Sequence, residues 1–194
     1  MENITESRSK KEKKVGPRFK TLDLVYIGIF AAVIAVCSWI QIPLAVPITL
    51  QTFAVCCAAG MLGLRNGVLT VVVYIVIGLV GVPVFSNFGA GPGVLFGITG
   101  GYIIGFVFTA LTVGGAVKLF GRKTAVYALS MTAGIALCYL FGTVWFVIWS
   151  ANNSTGTTFA AALSTCVLPF IFPDLIKIAL ATLLCRRLSG HIKT

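Results

Sequence analysis

Apolar residues fall into six stretches, over residues 22–42, 48–64, 67–82, 95–117, 124–149 and 159–185, separated by short segments that carry the polar, glycine and proline positions. A helix needs ~20 apolar residues to cross a hydrocarbon core of ~30 Å. The pattern predicts an all-α integral membrane protein with six transmembrane helices, of which the second and third are short. The sixth contains Pro169 and Pro173. Proline lacks the backbone donor and disfavours helix at the residue before it, so this stretch is expected as two helical pieces. The first stretch exceeds the 7–15 apolar residues of a secretory signal and is read as a retained helix.

Composition agrees. Of 194 residues 58% are hydrophobic and 10% charged, whereas a soluble domain carries about 25% charged residues. The formal net charge of +10 could suggest nucleic acid, but its distribution points elsewhere. Arg8, Lys10, Lys11, Lys13, Lys14, Arg18 and Lys20 precede the first apolar stretch directly, and a basic tail beside a span is a topology signal. Among them only Phe19 could stack on a base, so no nucleic-acid partner is expected.

Charge also sets direction. With the N-terminus inside, Arg65, then Lys118, Arg122 and Lys123, and finally Arg186, Arg187 and Lys193 all fall inside, while the loops near 41–47, 83–94 and 150–158 hold no lysine or arginine. Fourteen of the fifteen basic residues thus share one side, which the positive-inside rule assigns to the cytoplasm and which supports an even helix count. The expected organisation is a cytoplasmic basic tail over 1–20, a six-helix substrate-binding membrane domain over 21–188 and a cytoplasmic tail over 189–194, with both termini cytoplasmic, in a multi-pass protein of the cell membrane.

The loop 82–93 is apolar and glycine-rich without a charge. It is expected to fold back over the helices, because irregular backbone near membrane depth needs protein or a cavity around it. Small residues mark packing faces: Gly28 with Ala32 and Ala31 with Ala35 on the first helix, and Gly101 with Gly105 on the fourth. Spacing of this kind lets helices approach closely, within the chain or against another membrane protein. The six cysteines lie in apolar stretches without C-x-x-C spacing, and His191 is the single histidine. Small buried thiols are expected, with no metal site and no cofactor.

Once tails and inner loops are set aside, two ionisable side chains remain within the spans, Asp174 and Lys177. A charge at the bilayer centre costs roughly 2.5–3.5 kcal/mol on insertion scales, so such residues are kept for a partner or a task. Their i, i+3 spacing puts both on one helix face. Pro173 suits the first position of a new helix, and a carboxylate in that first turn would be favoured by the helix dipole. Fourteen residues, ~21 Å of helix, run from Asp174 to Arg187, which places the pair in the outer half of the membrane near the glycine-rich loop. A self-neutralising ion pair and a substrate site are both open readings. Gln51, Asn87 and Tyr102 lie on the same outer side, and an amide facing lipid would forfeit hydrogen bonds. Trp145 and Trp149 suit an interfacial belt. There is no Walker A loop, H-E-x-x-H or G-x-S-x-G, so ATP hydrolysis and the common hydrolase chemistries are excluded.

The stretches Val46-Pro47-Ile48-Thr49-Leu50-Gln51-Thr52-Phe53-Ala54-Val55, Gly78-Leu79-Val80-Gly81-Val82-Pro83-Val84-Phe85, Gly97-Ile98-Thr99-Gly100-Gly101-Tyr102 and Pro173-Asp174-Leu175-Ile176-Lys177 together resemble the biotin-specific S components of energy-coupling factor (ECF) transporters, the BioY family. The blocks occur in family order across about 22–188. The resemblance implies a six-helix subunit that captures biotin from outside, and is no enzyme itself. Its partners would be a transmembrane coupling subunit and two ATPase subunits. It implies that Asp174 and Lys177 contact the biotin ring system, that Asn87 contributes from the outer loop, and that the small residues of the first helix, Ala31 and Ala35 in particular, dock the coupling subunit. An S component for another vitamin, or in a different class a membrane-embedded enzyme or scaffold, are the competing readings. The absence of a nucleophile–base constellation speaks against an enzyme.

Overall fold

Residues 20–44, 46–153, 156 and 158–188 are described by a computed structural model. The expected tails, 1–20 apart from Lys20 and 189–194, lie outside them. The elements are α1 (Thr21–Trp39), β1 (Gln41–Ile42), β2 (Ile48–Thr49), α2 (Gln51–Leu79), a 3-10 turn at Ser86–Phe88, α3 (Pro92–Leu95), α4 (Gly100–Phe120), α5 (Thr124–Asn152), α6 (Phe159–Cys166) and α7 (Leu168–Leu188). Five of them, α1, α2, α4, α5 and α7, are long and apolar enough to cross a membrane.

Helix α2 is not a rod. Gly63 interrupts it with φ 77° and ψ −174°, a left-handed backbone that glycine adopts without steric cost. The Gln51 side-chain amide donates to the Tyr74 hydroxyl at 2.8 Å across a sequence separation of 23, whereas a straight helix would separate those residues by about 34 Å. The chain therefore doubles back at Gly63 into arms 51–62 and 64–79. The arms touch through backbone: a Cβ on Gly67 would stand 2.7 Å from Ala59 Cα.

The first arm is the centre of the molecule. Every residue from Ala54 to Leu62 is buried, and the small side chains of Ala54, Cys56, Cys57, Ala58, Ala59 and Gly60 let neighbours approach. Cys185 on α7 and Tyr127 on α5 close on Gly60, where a Cβ would meet them at 2.8 and 3.3 Å. Helices α4 and α5 pack similarly. A Cβ on Gly105 would press on Cys138, and one on Gly101 on Trp145, so the small-residue face expected on the fourth helix is filled from within the chain. The six cysteines are free and buried. Outward positions are apolar, for example Val25 and Ile29 on α1, Leu140 and Ile148 on α5, and Leu180 and Leu183 on α7. A lipid solvent accepts such a surface, and water does not.

Several boundaries differ from the sequence reading. Residues 41–42 and 48–49, assigned to spans, pair as a short antiparallel ribbon with Gln41 opposite Thr49. Pro43 holds Ile42 extended and ends α1's continuation. The fourth stretch is split, with α3 ending at Leu95 and α4 beginning at Gly100. The last stretch does form two pieces, but the break falls at Val167, before Pro169, and Pro173 lies inside α7. Asp174 is therefore not in a first turn, and the helix-dipole argument for it fails. Pro169 takes the tolerated position near the start of α7, while at Pro173 the helix carries on without one backbone donor.

Candidate functional site

Asp174 and Lys177 face inward from α7, with side chains 4% and 8% exposed, and Lys177 Nζ lies 2.6 Å from Asp174 Oδ1. One helical turn separates them, so the contact follows from the i, i+3 spacing. Two hydroxyls complete the cluster. Thr52, at the start of the buried arm of α2, donates to Asp174 Oδ1 at 3.1 Å and accepts from Lys177 Nζ at 3.3 Å. The Tyr139 hydroxyl of α5 donates to Asp174 Oδ2. The carboxylate thus has a partner on each oxygen. An ion pair this buried gains little net stability from its own attraction, yet removing one partner costs about 3–5 kcal/mol because a lone charge stays behind.

The cluster forms the floor of a narrow cleft of about 50 Å³. Small-molecule sites commonly occupy about 300–1,000 Å³, so the walls must part to admit a ligand. The walls are Tyr102, Ile103 and Phe106 of α4, Cys138 and Tyr139 of α5, Cys166 of α6 and Phe170 of α7. Val46, Pro47 and Thr49 of the ribbon, with Ser86 and Thr99, shape the rest. The lining is mostly apolar, and its polar groups are hydroxyls, the Gln51 amide and the Asp174–Lys177 pair. Lys177 is the one cation among the lining residues.

The loop after α2 is strapped over the helices, as its composition suggested. Ser38 and Tyr74 donate to the Val84 carbonyl at 2.6 and 3.1 Å, and Trp39 Nε1 to the Pro83 carbonyl at 3.1 Å. Phe85 is fully buried edge-on to Tyr74, with ring centroids 5.6 Å apart, on a seat that only a glycine at 78 leaves free. These anchors hold Ser86 at the cleft. Packing so tight predicts that Gly78→Ala, whose Cβ would stand 2.2 Å from the Phe85 ring, expels Phe85 and loosens the loop. The expected cost is about 1–3 kcal/mol, read as a lower midpoint of thermal unfolding in detergent, with faster proteolysis near 82–91.

The sequence-selected residues divide into three groups. Asp174, Lys177, Gln51 and Tyr102 all line the cleft. Gln51 is buried, and Tyr102 packs against Gly142 with its hydroxyl 3.2 Å from that of Thr143. Asn87 does not line the cleft. It is exposed, in left-handed backbone at φ 56°, and its side-chain carbonyl accepts from Gln41. The first-helix set lies elsewhere, along an apolar groove of about 290 Å³ with Trp39, Ile77 and Val84. There Ala31 and Ala35 are buried, while Gly28 and Ala32 are exposed. Thr52 and Tyr139 were not singled out from sequence. Thr52 sits inside the Val46–Val55 stretch, and Tyr139 is a phenol in mid-span whose hydroxyl needs a partner.

Comparison with known proteins adds an independent line. The sequence model described as the BioY family matches residues 9–194. A "Biotin transporter BioY" of Thermotoga maritima is 41% identical over 170 residues, covering 86% of this chain and 95% of that protein. A "Biotin transporter BioY2" of Lactococcus lactis is 33% identical over 165 residues, covering 84% and 88%. Among solved structures, the S-component for biotin from an ECF-type ABC transporter superposes with a TM-score of 0.76 at 25% identity, covering 98% of this chain and 95% of that one.

Proposed function

This chain belongs to the BioY family, and from that premise we propose that it is the biotin-binding S component of an ECF-type importer, taking biotin into the cleft above Asp174 and Lys177. The observation that carries the site assignment is the buried acceptor–donor pair at the cleft floor. Biotin's ureido group presents N–H donors beside a carbonyl acceptor. Asp174 accepts from an N–H and Lys177 donates to the carbonyl, so the ligand splits the ion pair and satisfies both halves. Hydrogen bonds to charged groups contribute about 1.5–3 kcal/mol each. Thr52 and Tyr139 hold the carboxylate in place, and the aromatic and aliphatic walls suit the thiophane ring and valeryl chain. The biotin carboxylate meets no second cation among the lining residues. The hydroxyls of Thr49, Ser86 and Thr99 are the groups that serve it.

Tyr139→Phe removes one hydrogen bond to Asp174 while keeping the ring against Phe170, whose centroid lies 6.4 Å away. Biotin affinity is expected to fall about fivefold, equivalent to ~1 kcal/mol, with stability little changed. A competition panel against labelled biotin tests the substrate class. Biotin displaces it, whereas thiamine, riboflavin and folate do not; displacement by another vitamin at lower concentration would favour the alternative of a different vitamin.

The reading extends to topology and assembly. The doubled-back α2 gives six crossings from five long helices, with the basic end cytoplasmic. In intact cells a membrane-impermeant maleimide is expected to label Asn153→Cys, and to reach Arg65→Cys only after permeabilisation. Labelling of Arg65→Cys from outside would overturn the hairpin topology. The sequence holds no Walker A loop, and in this reading uptake against a gradient draws on a transmembrane coupling subunit and two ATPases. The groove along Gly28, Ala31, Ala32 and Ala35 is the docking face, with Gly28 and Ala32 as its open positions.

A further inference from the structure

A second cavity, of about 490 Å³, opens at the opposite end of the bundle from the cleft floor, where α1 begins, α2 reverses and α4 ends. Lys20, Arg65, Lys118 and Arg122 line it, against a single carboxylate, Asp23. Asp23 is already engaged: Oδ1 accepts from the Asn66 side chain at 3.0 Å and Oδ2 from the Lys20 backbone N–H at 3.1 Å. The reversal itself builds the floor. Gly63 makes the turn, and a Cβ on Gly114 would stand 2.5 Å from Leu64 Cα, so α4 and the hairpin tip meet through backbone. Arg122 is tied to the tip by a bond from Nη2 to the Met61 carbonyl at 3.4 Å. The second arm of α2 starts at this point, and its N-terminal residues Leu64 and Arg65 line the cavity, adding the positive end of a helix dipole to the four cations.

We propose that this cavity binds the phosphate of an anionic phospholipid head group. The chemistry is that of an anion site, with four cations converging from three helix ends around a helix N-terminus and one satisfied carboxylate. Its position favours a lipid. The cations stand where apolar helices end, the depth at which head groups lie, and basic pockets between membrane helices on the cytoplasmic side recognise such head groups. Exposed apolar side chains beside it, Leu22 on α1 and Leu119 on α4, can lie along the acyl chains. The site is independent of the biotin assignment, since none of its residues lines the cleft.

The test is native mass spectrometry of the purified chain with equal amounts of phosphatidylglycerol and phosphatidylcholine of matched acyl chains. Wild type is expected to retain phosphatidylglycerol over phosphatidylcholine by about tenfold. Arg65→Gln with Lys118→Gln, which leaves Arg122 on the hairpin tip, is expected to bring the ratio near unity with biotin binding unchanged. Equal retention by wild type, or a preference that survives the double substitution, would overturn the proposal. Binding of inorganic phosphate at millimolar concentration in lipid-free detergent, lost in the double variant and without a lipid preference, would assign the site to a soluble anion instead. A double variant with the wild-type lipid ratio that fails to assemble with the coupling and ATPase subunits would make the patch a protein-docking face, and the lipid assignment wrong.

Discussion

Replacing Asp174 with alanine is expected to weaken biotin binding by about 10- to 150-fold, the equivalent of the 1.5–3 kcal/mol contributed by a hydrogen bond to a charged group. The substitution removes the ligand's acceptor and also strands Lys177, which is 7% exposed and has Thr52 as its other hydrogen-bond partner. A buried ammonium without its anion costs about 3–5 kcal/mol, so the protein should also lose stability. Asp174→Asn separates the two effects: it keeps the shape and an acceptor oxygen but removes the charge. Its affinity should fall between wild type and alanine. Lys177→Met, with a similar stem and no donor, should weaken biotin comparably. The double variant Asp174→Asn/Lys177→Met should lose less than the sum of the singles, since the two groups lie in one network. Wild-type affinity in both singles would remove the pair from the site.

The second large effect concerns the hairpin. Gly67→Val should be among the most destabilising single changes, because its Cβ would meet backbone, Ala59 Cα at 2.7 Å, and not a side chain free to turn away. Overpacking of this kind costs about 1–3 kcal/mol, and at a backbone contact the upper end is expected. The arm that would be displaced carries Gln51 and Thr52 at its far end, so biotin binding should fall as well. Gly115→Ala is the matched control. It lies on α4 with nothing within 4 Å of the added Cβ and should be neutral or stabilising by up to ~1 kcal/mol from helix propensity. Thermal unfolding in detergent distinguishes the two. Equal midpoints would contradict the antiparallel arms.

Much of this fold could be read from hydropathy, because a bilayer demands long apolar stretches and tolerates few charges. The boundaries were harder. Arg65 and Asn66 drew the second break toward the polar residues, whereas the reversal is made by the backbone at Gly63, two residues earlier. A glycine's φ leaves no mark in hydropathy. Residues 41–42 and 48–49 read as span ends because Ile42 and Ile48 are as apolar as helix residues, and only the flanking prolines hint at extended chain. Within the site, Asp174 and Lys177 were conspicuous because charges inside apolar runs are rare. Thr52 and Tyr139 were not, since hydroxyl side chains occur throughout membrane helices and only the fold shows which of them reach one carboxylate. Asn87 shows the converse. Its loop folds inward as the composition implied, but the left-handed turn at 87–88 leaves its side chain outside the cleft.

This chain alone is expected to capture biotin in the cleft above Asp174 and Lys177. Isothermal titration of the purified protein with biotin, in detergent and without ATP or partner subunits, tests it most directly. Saturable binding of one biotin per chain is expected in wild type, with a Kd raised at least tenfold in Asp174→Asn/Lys177→Met. No heat above dilution in a folded wild-type sample, or identical isotherms for wild type and the double variant, would contradict it.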